Sequence, residues 1–316
     1  MKLEPYEGMA TGIRRIVDEE LTAAVDDLEG RGPDDPDEAV HDARKRLKKA
    51  RAAIRLVRDD LGADVQRRET AALRDAARRL SGVRDAYVLL ETLGSVEERS
   101  DGALPPAAVR ELRASLESRR DELARKPVDT AAVTGELVAA RGRMAGWPLA
   151  DEEFPARSLR RIYARGRRAM DDAFARGEDE VWHEWRKRVK DLWYALRILE
   201  PTAGKQLQGA VSEADRLSEA LGDHNDIALL RAAAGDAAPE PFIAALDRRR
   251  DELRLTAVPL GLRLYAESPK RFTRRLGAYW DARAAEAAAT WLEPSVAVHG
   301  LEAAADELDA VVRAAT

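Results

Sequence analysis

Apolar residues recur along the chain three and four positions apart, the spacing of one helix face, and short Gly/Pro clusters interrupt them. The first such pattern spans Gly12 to Leu28 and stops at Glu29-Gly-Arg-Gly-Pro-Asp-Asp-Pro36. A second helix is predicted from Asp37 to Leu61, before Gly62, and a third from Asp64 to Leu80. Beyond Ser81-Gly82 a fourth covers Arg84 to Leu93. Another follows Pro105-Pro106 and ends near Lys126-Pro127, and residues 130–144 read as a weak helix. Gly146-Trp-Pro148 and Glu153-Phe-Pro155 mark a linker. Runs rich in Val, Ile, Thr and Tyr are few, so strands have little support. The expected fold class is all-α.

After the linker the pattern begins again. Ile13-Arg-Arg-Ile16 matches Leu159-Arg-Arg-Ile162, and His41-Asp-Ala-Arg-Lys-Arg-Leu-Lys48 matches His183-Glu-Trp-Arg-Lys-Arg-Val-Lys190. Leu80-Ser-Gly-Val-Arg-Asp85 matches Leu221-Gly-Asp-His-Asn-Asp226, and Arg119-Arg-Asp-Glu-Leu123 matches Arg249-Arg-Asp-Glu-Leu253. The offsets are 146, 142, 141 and 130, so order is kept while connecting lengths change. This argues for an internal duplication, with helical repeats over 10–145 and 156–290 and a helical tail over 291–316.

The helix opening at His41 carries the informative chemistry. At about 100° per residue, His41, Arg44, Lys45, Lys48 and Arg55 share one face, with Arg51 at its edge. Leu47, Ala50, Ile54, Val57 and Leu61 fall opposite. From His183 the same face holds Arg186, Lys187, Lys190 and Arg197. Tyr194 joins it, and Trp193 takes the place of Arg51. Glu184 and Asp191 flank this second row without interrupting it. Like charges three and four apart oppose helix formation by a few tenths of a kcal/mol per pair, on the order of the gain from opposite charges. Two such rows imply an anion that completes them. Cations climbing a helix at about 5.4 Å per turn suit an extended charged polymer better than one small phosphate. Arg grips phosphate oxygens in a planar fork and Lys supplies mobile charge. Neighbouring cations lower a histidine's pKa and bound phosphate raises it, so His41 and His183 are expected to strengthen binding at lower pH.

At these residues the sequence resembles the CHAD family, the conserved histidine α-helical domains. The matching elements are His41-x-x-Arg44-Lys45-x-x-Lys48 with Arg55, His183-x-x-Arg186-Lys187-x-x-Lys190 with Arg197, and the break motifs at Gly82-Val-Arg-Asp85 and Gly222-Asp-His-Asn-Asp226. The resemblance covers roughly residues 10–280. It implies two pseudo-symmetric helical bundles whose basic helices line a shared central groove or pore. It also implies binding of inorganic polyphosphate and association with polyphosphate granules. Family members often accompany a CYTH-type triphosphate-tunnel domain. The Met1-Lys-Leu-Glu-Pro-Tyr-Glu segment is a poor match to the start of one.

Composition narrows the alternatives. Net charge is −5, against the positive balance usual for a general nucleic-acid binder, so a local basic site must carry any polyanion binding. Aromatics are 5% of residues, while single-strand binders pair cations with stacking rings; nucleic acid is therefore the weaker partner and base-free polyphosphate the stronger. With no cysteine, disulfides and thiolate sites are excluded, which suits a reducing compartment. No apolar run approaches a membrane span and the N-terminus has no signal-peptide core, so the expected location is cytoplasmic, without a membrane partner.

No phosphate-binding glycine loop or nucleophile elbow occurs. His183-Glu-Trp-Arg-Lys187 lacks the second histidine of a zinc-protease helix. Asp223, His224, Asn225 and Asp226 read as a loop and helix cap after Gly222 rather than a metal cluster. Arg84 is a weaker site candidate. Trp182, Trp185 and Trp193 read as core or interface, with Trp193 bordering the groove. The expectation is non-catalytic polyphosphate binding with no cofactor and no metal. A polyphosphate-metabolising enzyme is a conceivable partner. The alternatives are a nucleic-acid binder, an enzyme acting on polyphosphate or a nucleoside triphosphate, and a plain helical scaffold.

Overall fold

The computed structural model describes residues 1–290, apart from 81–82, 101–103, 126–128 and 236; side chains at 83–85 and 287–290 are also outside the description. The expected tail over 291–316, the Gly82-Val-Arg-Asp85 motif and Arg84 therefore fall outside it. The described residues form helices and no strand, as the pattern predicts.

In the first half, α1 is Met9–Leu28, α2 Pro36–Leu56, α3 Arg58–Leu61 and α4 Ala63–Arg79. Then come α5 Val83–Arg99, α6 Pro106–Ala124 and α7 Thr130–Arg143. The second half contains α8 Ala156–Arg176, α9 Asp179–Ala203, α10 Lys205–Ala234, α11 Glu240–Leu264 and α12 Pro269–Thr290. Local chemistry explains several boundaries. Asp35 caps α2 by accepting from the Asp37 N–H at 2.9 Å, Pro36 opens the helix, and Asp37 and Glu38 sit in its first turn, where the helix dipole favours acids. Asp129 caps α7 through the Ala132 N–H at 2.9 Å. Gly177, with φ of 78°, closes α8 in the left-handed conformation.

Two expectations about elements are corrected. The helix predicted from Asp37 to Leu61 breaks at Val57, whose φ/ψ of −105°/22° leaves the helical region. The one-turn α3 then docks on the second half, where the Asp59 N–H donates to Ser158 Oγ at 2.9 Å. Residues 223–226 are not a loop: they lie inside the 30-residue α10, which runs through Gly222 without a break. Glycine costs a helix interior about 1 kcal/mol, and the packing of α10 against α9, α11 and α5 outweighs it.

The apolar core is shared between the halves. One continuous cluster runs from Leu3 through Ile13, Leu47 and Trp147 to Trp185, Leu199 and Trp280. A second joins Leu93 of α5 and Leu112 of α6 to Leu230 of α10 and Phe242 of α11. The 146–155 linker is tied down as well. Trp147 is buried, its carbonyl accepts from Arg14 Nη2 at 2.6 Å, and Asp151 accepts from the Thr11 N–H and hydroxyl at 2.7 and 3.0 Å, capping the start of α1. The buried sides of α2 and α9 face this core, and α4 packs along α2 as α10 packs along α9.

Candidate anion-binding site

On α2, Ala43, Leu47, Ala50 and Ile54 are buried in the core. His41, Arg44, Arg51 and Arg55 are half-buried on the other side, and Lys45 and Lys48 are exposed. The flanking cations Arg46 and Lys49 have structural work: Arg46 bonds the buried Asp27 at 2.6 Å and Lys49 lies 3.4 Å from Glu20, so both tie α2 to α1. Lys45 lies 2.8 Å from Asp42, one turn back.

Arg51 is the unusual member. Its Nε is buried with no hydrogen-bond partner among the described residues. Burial first, and then the nearby charges of Arg55, Arg74 and Arg78, hold its pKa below the usual arginine range; Asp191 acts in the opposite direction. Arg74 and Arg78 come from α4, which packs along α2. Each also touches Asp75, at 3.2 and 3.3 Å. The α2 row therefore meets further arginines, and the four guanidinium groups repel one another.

The α9 row meets different surroundings. Val189, Leu192 and Leu196 are fully buried, and His183, Arg186, Lys190, Tyr194 and Arg197 are half-buried on the outer side. His183 Nδ1 bonds the Asn225 side-chain oxygen, and Asn225 Nδ2 donates to Asp226 at 3.1 Å. Burial first, and then Lys187 and Arg186, lower the His183 pKa against the opposing Asn225 bond. Neighbouring cations therefore act as the sequence suggests, but burial acts more strongly. Arg186 rests against α10 at Gly222. Lys187 lies 2.7 Å from Glu184. Lys190 and Arg197 lie 5.6 and 5.0 Å from the centre of the Trp193 ring, a cation–π arrangement that puts Trp193 at the edge of the row. The Tyr194 hydroxyl is pushed up by burial. Burial and Arg186 lower the Lys190 pKa, opposed by Asp215, Asp226 and Glu219 of α10.

Site residues predicted as uncompensated cations thus include some with carboxylate partners among the described residues: Lys45, Lys187 and Arg55. Arg55 donates to Asp191, which also accepts from Arg188 at 2.8 Å. Asp191 flanks the α9 row in sequence, and the fold turns it onto the α2 row instead. Around this carboxylate stand Arg58, Arg161, Arg165 and Arg188, with Ser158. Arg165 has its pKa lowered by burial and then by Arg188.

Sequence reasoning missed Arg74, Arg78, Arg165 and Arg188, because none lies on the two rows. Arg74 and Arg78 lie on α4, whose packing along α2 no spacing within α2 itself reveals.

His224, the middle of the proposed cap or metal cluster, is 2% exposed. It accepts from Arg254 Nε at 3.1 Å and stacks on Trp182 with ring centres 5.1 Å apart. Burial, then Arg254 and Arg250, push its pKa down to about 4. It is a neutral core residue joining α9, α10 and α11. Among the described residues no group of three or more His, Asp or Glu side chains is placed to hold a metal ion, and no helix is long and apolar enough to cross a membrane.

Known proteins can now be set beside this geometry. The CHAD domain model matches residues 15–235, which include both rows, α4 and α10. Among curated proteins none matches the chain. The solved structure of PptA from Streptomyces chartreusis is similar with a TM-score of 0.51 and 16% identity, over 85% of this chain and 98% of that one. At that identity the likeness is one of fold. The family match covers well over half of the sequence and contains every residue of the two rows, so the chain belongs to the CHAD domain family.

Proposed function

We propose that this protein binds inorganic polyphosphate, without catalysis, at the cationic sides of α2 and α9. The observation that carries the reading is Arg51. A half-buried guanidinium with an unbonded Nε, pressed by Arg55, Arg74 and Arg78, is a costly arrangement that a bound anion relieves. The sparse aromatic lining favours a ligand without bases: Trp193 and Tyr194 are the rings beside the rows, and Trp193 is already covered by Lys190 and Arg197. Association with polyphosphate granules in the cytoplasm follows from the same reading, as does a polyphosphate-metabolising enzyme as a partner.

Competition binding tests it. Labelled long-chain polyphosphate should bind with an affinity that falls steeply with salt, through release of condensed counterions. Unlabelled polyphosphate should displace it far better than single-stranded RNA of equal charge. Replacing Arg44, Lys48 and Arg51 with Ala should weaken binding by about tenfold or more while leaving helicity intact. Equal displacement by RNA would turn the assignment to nucleic acid. Release of orthophosphate on adding Mg²⁺ would make the protein an enzyme.

A further inference from the structure

Inside α10, Asn225 and Asp226 cap nothing, yet both are half-buried and joined to the head of the α9 row. Asn225 Nδ2 donates to the Asp226 carboxylate at 3.1 Å, and the Asn225 oxygen meets His183 Nδ1. The carboxylate sets the order of donors. It only accepts, so the Asn225 amide must turn its NH2 toward Asp226 and its oxygen toward the ring. An amide oxygen also only accepts, so Nδ1 must carry the ring's proton. Nε2 has no hydrogen-bond partner among the described residues and the ring is half-buried, so Nε2 is the nitrogen left for a ligand.

Donor counting then decides how the ring meets an anion. In the neutral Nδ1–H ring, Nε2 offers a lone pair, which repels phosphate oxygens. Once a second proton is taken up, Nε2–H donates to a phosphate oxygen while Nδ1–H still donates to Asn225. The Asn225 oxygen thus suits the charged ring and raises its pKa against burial. A reversed amide would set its NH2 against Nδ1, move the proton to Nε2 and oppose a second one. Asp226 prevents that reversal. The other charges around the ring are Lys187, Arg186 and Glu184 of α9 itself. One turn back on α9, Asp179 is taken up by Arg250 and Arg254 of α11. Asp226 also borders an open recess of about 240 Å³, lined by Asp223 of α10, Glu91 and Arg99 of α5 and Arg249 of α11.

Resting on the polyphosphate reading, we propose that Asp226 and Asn225 are positioning residues that hold His183 in its Nδ1–H form, so that the polymer is gripped at Nε2 only with uptake of a proton. Neither residue is a ligand. Binding and protonation are linked: phosphate at Nε2 favours the charged ring, and lower pH favours the phosphate. Burial holds the free ring's pKa below the usual histidine value, so the ring is neutral at pH 7.5 and the proton comes from solution.

Long-range ¹H–¹⁵N NMR reads the tautomer of each of the four histidines, and calorimetry in buffers of different ionisation enthalpy reads proton uptake. Spectra of His183→Ala assign the ring. Free wild-type protein at pH 7.5 is expected in the Nδ1–H form, and long-chain polyphosphate is expected to convert it to the doubly protonated ring. His183→Ala should then take up fewer protons on binding than wild type does. Asn225→Ala and Asp226→Asn should each populate the Nε2–H form and lose most of that His183-dependent uptake. An Nε2–H ring in the wild type would overturn the proposal, and this measurement decides even where a variant fails to fold. So would an Asp226→Asn protein with unchanged tautomer and tighter binding, the mark of a purely electrostatic role. A wild-type protein with Nδ1–H His183 that ignores polyphosphate would sink the parent reading instead, so the two failures are distinguishable.

Discussion

At the scale of single residues, burial changes what charge pattern suggests. His183 and His224 differ in role although both lie on helices packed together. His183 lies among the row's cations and bonds Asn225, whereas His224 is sealed between Trp182 and Arg254. The folded His224 imidazole titrates near 4 and a free one near 6.5, so the unfolded chain binds the proton first on acidification. The stability this neutral ring provides is full above pH 6.5 and is lost as pH falls toward about 4, amounting to roughly 3 kcal/mol. His224→Gln keeps an acceptor for Arg254 and cannot titrate in this range. Chemical denaturation between pH 7 and 4 should therefore show a shallower loss of stability in the variant; parallel curves would refute the assignment.

At the scale of elements, the helices are joined by ion pairs whose partners lie far apart in sequence. Glu69 of α4 is 1% exposed and accepts from Arg143 of α7 at 3.0 and 2.8 Å, with Arg68 at 2.8 Å. Glu69→Ala removes the acid and leaves two partly exposed guanidinium groups facing a cavity. A loss of about 2 kcal/mol is expected, below the range for fully buried pairs because water screens the arginines. Pairing Glu69→Met with Arg143→Met should recover much of it, as apolar replacements of ion pairs often do. Thermal unfolding of both variants checks this, and equal melting temperatures for the two would show that the pair's charge is not what matters. Element boundaries were readable where capping residues stand in the sequence, as at Asp35-Pro36 and Gly177. They were not readable at Val57 or Gly222. A β-branched residue gives no stop signal, and a glycine in a helix packed on three sides does not break it.

At the scale of the whole molecule, the core is not divided between the two halves of the chain. The main cluster takes Ile13 and Leu47 from the first half with Trp185 and Leu199 from the second, and the smaller cluster joins α5 and α6 to α10 and α11. Residues 1–145 expressed alone would expose both of these surfaces to water, at about 25 cal/mol per Å² of apolar area. That fragment is expected to be unfolded or aggregated by circular dichroism, and a cooperative unfolding transition from it would contradict the shared core.

The sequence by itself determined that the chain is helical, where most helices begin and end, and which side of α2 and of α9 carries the cations. Those properties depend on local spacing, propensity and caps, all contained within a few turns. Only the tertiary structure decided which charges meet. It brought Asp191 to Arg55, Arg74 and Arg78 to Arg51, and Asp215 and Glu219 to Lys190. Electrostatic interaction depends on distance in space and on burial, and neither is contained in the order of residues along one helix.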